Sequence, residues 1–188
     1  MRNKIAVTVL GICALLLAGS VETRAQSSSP KIDIGGQFSF MHFPALGSND
    51  AGLGGRITYN VNDEIGIEAE VNVFPTDKMG IGQMGRKEEV LAGAKIGFRS
   101  KSAGIFAKIR PGFVHFSRDP DGFQDAHTDF AVDFGSVIEL YPSSRTVVRF
   151  DIGDTAVRFP AFNSIFVGQT PSFWGNNLQI SAGVGVRF

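Results

Sequence analysis

The chain has 188 residues, of which 43% are apolar and 19% are charged. This length suits a single domain, and the composition is neither that of a disordered chain nor that of a helical membrane protein. Lys plus Arg number 18, as do Asp plus Glu, so the charge balance gives no indication of a nucleic-acid partner.

The first 25 residues have the pattern of a secretory signal peptide. Arg2 and Lys4 precede an apolar run at 5–19, and Ala25 ends a short polar segment. The run is shorter than the roughly 20 residues that a membrane-spanning helix needs, which argues against a membrane anchor. We therefore expect removal of 1–25, a flexible lead at 26–30 and one domain at 31–188. Because the one cysteine is Cys13, the processed chain would have no disulfide.

Eight segments after residue 30 alternate apolar and polar residues with the two-residue period of a β-strand. In the third, for example, Ile67 and Val71 alternate with Glu68 and Glu70. One face of each strand is apolar, and the other is rich in charged residues and glycine. The predicted strands are 31–43, 52–62, 64–74, 88–100, 104–117, 128–141, 146–159 and 177–188.

The connections between these strands alternate in length. Those after the second, fourth and sixth strands have about two to five residues, as in tight hairpins. Those after the first, third, fifth and seventh are longer, at 44–51, 75–87, 118–127 and 160–176. All short turns then lie at one end and all long loops at the other, the arrangement of a transmembrane barrel. Closure leaves no unpaired strand edge in lipid.

In such a barrel the apolar face meets lipid and the ionic face lines the lumen. An eight-stranded lumen is just wide enough to be filled by its own side chains. Because the two signs nearly balance, we predict a plug of paired ions and not a selective pore. The predicted lumen network is Arg56, Glu68, Glu70, Lys95, Lys108, Arg110, Asp133, Glu139, Arg149, Asp151 and Arg187.

Aromatic residues are expected to form girdles at both ends of the apolar band. The girdle at the short-turn end would comprise Tyr59, Phe98, Tyr141 and Phe188. The girdle at the loop end would comprise Phe40, Phe74, Phe113, Phe130, Phe159 and Trp174. The last loop is unusually apolar, and we predict that it folds over the barrel mouth or rests at the interface through Phe162, Ile165, Phe166, Phe173 and Trp174.

Three residues do not fit the simple strand pattern. Pro111 has no N–H to donate to a neighbouring strand, so we expect a β-bulge there. Strict alternation in the seventh strand places Asp154 and Arg158 on the outside. Because a charge facing lipid is costly, we expect that both lie near the outer interface or that the register shifts.

An exported chain of eight amphipathic strands that ends in Val186, Arg187 and Phe188 resembles the small outer-membrane β-barrels, the family of the OmpA transmembrane domain and OmpX-like proteins. The resemblance implies an all-β, eight-stranded antiparallel up-and-down barrel in the outer membrane of a Gram-negative bacterium. It further implies contact with outer-membrane lipid and lipopolysaccharide, and we expect a monomer. The apolar alternation before the terminal aromatic resembles the signal read by the barrel-assembly machinery, formed here by Ile180, Val184, Val186 and Phe188.

The stretch from His115 to Ser117 is similar to the His-x-Ser-Asn motif of outer-membrane lipid A deacylases, whose family also uses a Glu in a hydrolytic triad. Here Arg118 replaces the Asn, the stretch lies on the fifth strand, and alternation turns both side chains outward at the rim. We therefore predict no catalytic, cofactor or metal site, and a non-enzymatic barrel that contributes to envelope structure or surface interaction through its loops. A lipid-modifying enzyme, a narrow porin-like channel and a soluble ligand-carrying barrel stay open as alternatives.

Overall fold

The computed structural model describes residues 30–75, 85–118, 125–164 and 168–188. The predicted signal peptide lies outside the described residues, as do Ile165 and Phe166 of the predicted loop patch. Within the described ranges, no helix has the length and apolarity that crossing a membrane requires.

The described residues form ten β-strands, of which eight close into an antiparallel barrel. The order around the barrel is β1, β10, β7, β6, β5, β4, β3 and β2, while β8 and β9 form a separate two-stranded sheet. The prediction of an eight-stranded antiparallel barrel is confirmed. The strands are β1 Ile32–Phe43, β2 Ser48–Asn60, β3 Ile65–Phe74, β4 Lys87–Arg99, β5 Ala103–Phe116, β6 His127–Ser143, β7 Thr146–Phe159, β8 Phe162–Ser164, β9 Gly168–Thr170 and β10 Phe173–Arg187.

The strands are staggered around the barrel. The row of paired residues that starts at His42 passes through Leu178 on β10 and continues around the other strands. It returns to β1 at Ile32, ten residues from its starting point. A stagger of this size tilts the strands by roughly 40° to the barrel axis.

The polarity of the barrel is inverted relative to a water-soluble protein. Apolar side chains point outward, and Ile67, Ile109 and Val184 are 55%, 58% and 61% exposed. Charged side chains point inward, and Glu68 and Lys95 are 1% and 0% exposed. The structure thus turns its apolar surface away from its own interior, as a barrel surrounded by lipid must.

The first connection at the loop end is a tight turn, so the predicted long loop at 44–51 is wrong. The strand β2 begins at Ser48, and Gly47 in the turn adopts a positive φ of 65°, which glycine tolerates without strain. Ser48 and Asp50 are buried inside the barrel, and the Ser48 hydroxyl donates to Asp50 at 3.1 Å. Two of the polar residues that suggested a loop, Ser48 and Asp50, are therefore interior residues of a strand.

The predicted bulge at Pro111 is also wrong. Pro111 pairs with Val132 in the continuous β5–β6 ladder, and the register with β4 is the same on both sides of the proline. The register shift in β6 lies instead between Leu140 and Ser143, beside a hairpin turn. In β7 the alternation continues without a shift, so Asp154 and Arg158 both remain on the outer wall.

Candidate functional site in the barrel lumen

Arg149 is the centre of the ions that fill the middle of the lumen. It lies on β7, is 1% exposed, and forms a bidentate pair with Glu68 on β3 across the barrel. It also donates to Asp151 on its own strand, at 2.6 and 3.0 Å. Because alternate residues of a strand share a face, the position of Arg149 and Asp151 two residues apart brings both into the lumen.

The remaining ions extend this cluster without a break. Lys95 contacts both Glu68, at 3.3 Å, and Glu139. Lys108 bridges Asp133 and Asp151, at 3.1 Å from each. Buried charges at this spacing compensate each other's loss of hydration.

Arg110 joins the β3 and β6 sides of the cluster. It pairs with Glu70 and lies 2.7 Å from Asp133. All eleven predicted lumen residues are buried on the inner face, and every one except Arg56 lies within 4.0 Å of an opposite charge. Arg56 instead donates to the side-chain oxygen of Gln37 at 3.3 Å.

A layer of amides and hydroxyls covers the ions on the loop side. Asn72 donates to Glu70 and to Glu89, at 2.8 and 2.7 Å, and Gln179 donates to the same oxygen of Glu89 at 3.0 Å. The other oxygen of Glu89 is buried and has no hydrogen-bond partner among the described residues. Glu89 was not among the predicted lumen residues, although it lies an even number of residues from Leu91 and Lys95 and therefore shares their inner face.

The short-turn end of the lumen is filled by Tyr141 and two arginines. Tyr141 was predicted in the outer girdle, but it is 8% exposed and faces inward. Its hydroxyl donates to Glu139 at 2.7 Å and accepts from Arg99 at 2.9 Å. The guanidinium of Arg187 stacks 4.1 Å from the Tyr141 ring and pairs with Asp33 at 3.3 Å.

An apolar cluster fills the lumen above the amide layer, at the loop end. Phe74 and Phe159 belong to it, so their predicted place in the outer girdle is wrong. Phe74 follows Val73, which faces outward, and therefore faces inward by alternation. The ring centroid of Phe116 lies 6.3 Å from Phe43 and 6.0 Å from Phe159. The cluster comprises Met41, Phe43, Phe74, Val114, Phe116, Ala131, Val157 and Phe159.

A buried ion pair stands beside the apolar cluster. The Lys87 ammonium lies 2.7 Å from Asp50 and 5.1 Å from the centre of the Phe43 ring. Both charged side chains are 1% exposed. Sequence reasoning missed this pair because Asp50 was assigned to a loop and Lys87 to the end of another.

The predicted patch in the last loop is only partly a loop. Phe173 and Trp174 begin β10, so their assignment to the loop is wrong. Phe173 packs on Phe159 at 5.2 Å between ring centroids, and Trp174 packs edge-on against Phe130 at 6.2 Å on the outer wall. Phe162 lies in β8, and its side chain is outside the part of the structure described.

The His115 side chain lies on the outer wall at the rim, as alternation predicts. The His115 ring shares a 2.8 Å hydrogen bond with the Thr128 hydroxyl. Ser117 follows the end of β5, and its backbone N–H donates to the Arg86 carbonyl at 2.8 Å. The hydrogen bond of His115 therefore links β5 to β6 and does not reach the serine.

The four residues of the predicted assembly signal lie on the outer wall. Ile180, Val184 and Val186 are 44%, 61% and 50% exposed on β10, and Phe188 is 69% exposed just beyond its end. The backbone of Phe188 exchanges two hydrogen bonds with Ile32, at 2.8 and 3.2 Å. The last residue thus continues the pairing of the first and last barrel strands.

Solved structures of small membrane barrels are similar to this chain. Neisserial surface protein A is 17% identical, with a TM-score of 0.56, and the match covers 84% of this chain and 96% of that one. The attachment invasion locus protein Ail of Yersinia pestis, solved with sucrose octasulfate, is 16% identical, with a TM-score of 0.48 and coverage of 84% and 96%. The N-terminal barrel of Pseudomonas aeruginosa OprF is 9% identical, with a TM-score of 0.47 and coverage of 80% and 96%.

A search of curated proteins finds no match. The family model described as the outer membrane protein beta-barrel domain matches residues 11–188. This span includes every strand of the closed barrel. The chain belongs to the outer membrane β-barrel family.

Proposed function

We propose that this protein is a non-enzymatic outer-membrane barrel whose lumen is closed by its own side chains, and that it acts at the cell surface through its loop end. The observation that carries the proposal is that buried side chains lie along the length of the lumen. Tyr141 and Arg187 occupy one end, the ions around Arg149 the middle, and the apolar cluster the other end.

This filling opposes the passage of ions for two reasons. An ion crossing the middle would have to separate buried pairs such as that of Arg149 and Glu68, and breaking a buried pair costs about 3–5 kcal/mol. The side chains of the apolar cluster offer a passing ion no hydrogen bonds, and the neighbouring Lys87 and Asp50 are paired with each other, so the ion would lose its hydration with little compensation. Both features favour a structural or surface role over a porin-like role.

Three connections at the loop end are longer than those at the short-turn end. They are 75–86, 117–126 and 160–172, whereas the connections at the other end, 61–64, 100–102 and 144–145, have two to four residues. In the proposed orientation, with the short turns on the periplasmic side, the long connections begin and end at the cell-surface end of the barrel. We propose outer-membrane lipid and lipopolysaccharide as the surroundings of a monomer that is exported after removal of 1–25.

Single-channel recording in planar lipid bilayers tests this proposal. The protein refolded in detergent and added to the bilayer is expected to insert without steady conductance. The variant Arg149→Ala, which empties the centre of the ionic cluster, serves as the matched positive control and should increase the frequency of open events. Steady conductance from the unchanged protein would contradict a closed lumen and favour the narrow channel.

The alternative of a lipid-modifying enzyme is tested separately. The hydrogen bond of His115 to Thr128, and not to Ser117, weighs against a serine nucleophile activated by this histidine. We expect Ser117→Ala and His115→Ala to leave the lipid A and phospholipid profile of the host membrane unchanged by mass spectrometry. A product that disappears in both variants would establish an enzyme and overturn the proposal.

A further inference from the structure

Glu89 differs from the other buried carboxylates of the lumen because it has no basic partner. It lies on β4, is 0% exposed, and has no Lys, Arg or His nitrogen within 4.0 Å among the described residues. Every other buried Asp or Glu in the described part of the chain has such a nitrogen within that distance. A buried carboxylate without a partner loses its hydration uncompensated, which favours its neutral form.

The basic residues around Glu89 are engaged by other carboxylates. Lys87 lies two residues away on the same face of β4, and its ammonium is 2.7 Å from Asp50. Arg110 on β5 pairs with Glu70. Neither base is therefore available as a direct partner of an ionised Glu89.

One further base reaches Glu89, but through two intervening amides. Arg56 donates to Gln37 at 3.3 Å, Gln37 donates to Asn72 at 2.9 Å, and Asn72 donates to Glu89 at 2.7 Å. The attraction between two charges falls with their separation. A guanidinium three hydrogen bonds away therefore does not replace a direct counter-charge.

The charged groups that face Glu89 are mostly acidic. Asn72 uses one nitrogen to donate to both Glu70 and Glu89, at 2.8 and 2.7 Å. The two accepting oxygens therefore lie less than about 6 Å apart, a separation at which one negative charge disfavours another. Asp133 on β6 acts on Glu89 as a second like charge, and Arg110 on β5 as an opposite one. Ionised Glu89 would thus be a third acid beside one base.

The layer around Glu89 is also short of hydrogen-bond donors. One oxygen of Glu89 accepts from two side-chain amides, while the other has no donor among the described residues. Asp133 and Asn177 each have one buried oxygen in the same condition, and they lie on either side of Thr155 in register. The unpartnered donor of this layer is one nitrogen of Arg110, 2.7 Å from Asp133. A proton on Glu89 converts an acceptor into a donor and reduces this shortage.

We propose that Glu89 binds a proton in the folded barrel at neutral pH, so that the lumen contains one neutral carboxylic acid among ionised carboxylates. The oxygen that accepts from Asn72 and Gln179 keeps both hydrogen bonds, and the proton lies on the other oxygen. The remaining lumen carboxylates stay ionised because each has a base beside it. The proposal rests on the closed, buried lumen of the proposed function and adds the proton as its ligand.

Proton binding makes the stability of the barrel depend on pH. A glutamate in the unfolded chain is ionised above about pH 5, so folding at neutral pH takes up one proton at Glu89. Because acid favours the state that binds more protons, the barrel loses stability as the pH rises. For one proton the folding equilibrium constant falls by at most about tenfold per pH unit.

Urea titration of the refolded protein in lipid vesicles, repeated from about pH 6 to about pH 9, tests the site. Glu89→Gln keeps an acceptor for the two amides and replaces the proposed O–H with N–H, so it should be at least as stable as the unchanged protein at neutral pH. The folding constant of the unchanged protein, divided by that of Glu89→Gln, should fall by up to about tenfold per pH unit. Titrations common to both proteins cancel in this ratio.

A matched variant and a spectroscopic readout separate proton binding from a structural role. Glu139 is a buried carboxylate paired with Lys95, so Glu139→Gln should lower the folding constant about tenfold or more at neutral pH and keep the pH dependence of the unchanged protein. Infrared spectroscopy of the folded protein at neutral pH should show the carbonyl stretch of a protonated carboxylic acid. The band should be absent in Glu89→Gln and present in Glu139→Gln.

The outcomes are distinguishable from those of the proposed function. Absence of the carboxylic acid band, or a Glu89→Gln variant about tenfold less stable at neutral pH, would show an ionised Glu89 and overturn the site. Stabilisation of the unchanged protein, but not of Glu89→Gln, by sodium chloride over choline chloride would assign a metal ion in place of the proton and also overturn it. A conducting protein in which Glu89 keeps its proton would contradict the proposed function and leave the proton site standing.

Discussion

Replacing Arg149 with methionine removes the centre of the ionic cluster while keeping most of the side-chain volume. The guanidinium makes two hydrogen bonds with Glu68 and two with Asp151. Removal of one partner of a buried pair costs about 3–5 kcal/mol, because the opposite charge stays buried. Each carboxylate keeps one lysine, since Lys95 lies 3.3 Å from Glu68 and Lys108 lies 3.1 Å from Asp151. We therefore expect a loss near the lower limit, about 3 kcal/mol.

The free energy of unfolding can be measured by urea titration in lipid vesicles, with the fluorescence of Trp174, the one tryptophan of the chain, as the signal. Arg145→Met, at an exposed turn, is the control and should change stability by less than about 0.5 kcal/mol. The double variant Arg149→Met with Glu68→Gln should be more stable than the sum of the single changes predicts, with a coupling of about 0.5–3 kcal/mol. A loss below about 1 kcal/mol for Arg149→Met, or additive changes, would refute the reasoning.

Three further predictions follow from the same geometry. Lys87→Met leaves a buried carboxylate beside the apolar cluster and should cost about 3 kcal/mol in the same titration; a change below 1 kcal/mol would argue against a structural pair. Gly93→Ala should lower the free energy of unfolding by about 3 kcal/mol, because the added Cβ would overlap the Ile109 carbonyl oxygen. The control Gly36→Ala, at an open outer position, should leave the free energy of unfolding unchanged. Phe188→Ala should lower the amount of barrel in the outer membrane on quantitative immunoblots but change the free energy of unfolding of the refolded protein by less than about 1 kcal/mol. A lower amount together with a larger loss of stability would assign Phe188 a purely structural role.

Alternation was sufficient to predict the strands and their faces. A residue such as Glu68 between Ile67 and Ala69 must lie on the opposite side of the sheet from its neighbours, and the structure places it inside. The pattern needs no knowledge of which strands pair. It therefore predicted the barrel and the burial of the charged face, but not the partners, which depend on the stagger of the strands.

The predictions that relied on residue type and not on alternation were wrong. Asp50 and its polar neighbours suggested a loop, yet Asp50 is held inside β2 by Lys87 at 2.7 Å. Phe74 and Phe159 were assigned to the lipid-facing girdle because they are aromatic and lie at strand ends. Their positions in the alternation, however, place both side chains on the inner face. A polar residue at the end of a strand and an aromatic one can both fill the lumen, so residue type alone does not decide the side.

Pro111 shows a different limit. The missing N–H predicted a bulge, but the strand continues and the register is the same on both sides. On the β4 side the paired residues stop at Leu91 with Gly112 and resume at Ala94 with Ile109, so the pairing has a gap at the proline but no extra residue. Whether a missing N–H leads to such a gap or to a bulge depends on the neighbouring strand, and a single strand's sequence does not contain that information.

The inverted polarity of the barrel is tested most directly by spin labels placed one at a time along β10. The chain after residue 25 has no cysteine, so single cysteines introduced at successive positions can be labelled without interference. Labels at Leu178, Ile180 and Val184 should be accessible to oxygen dissolved in the bilayer, and labels at Gln179 and Ser181 should be inaccessible to it. Two results would contradict a barrel with lipid outside and paired ions within. One is oxygen accessibility at Gln179 and Ser181 but not at the other three positions, and the other is equal accessibility of all five positions to a water-soluble relaxation agent.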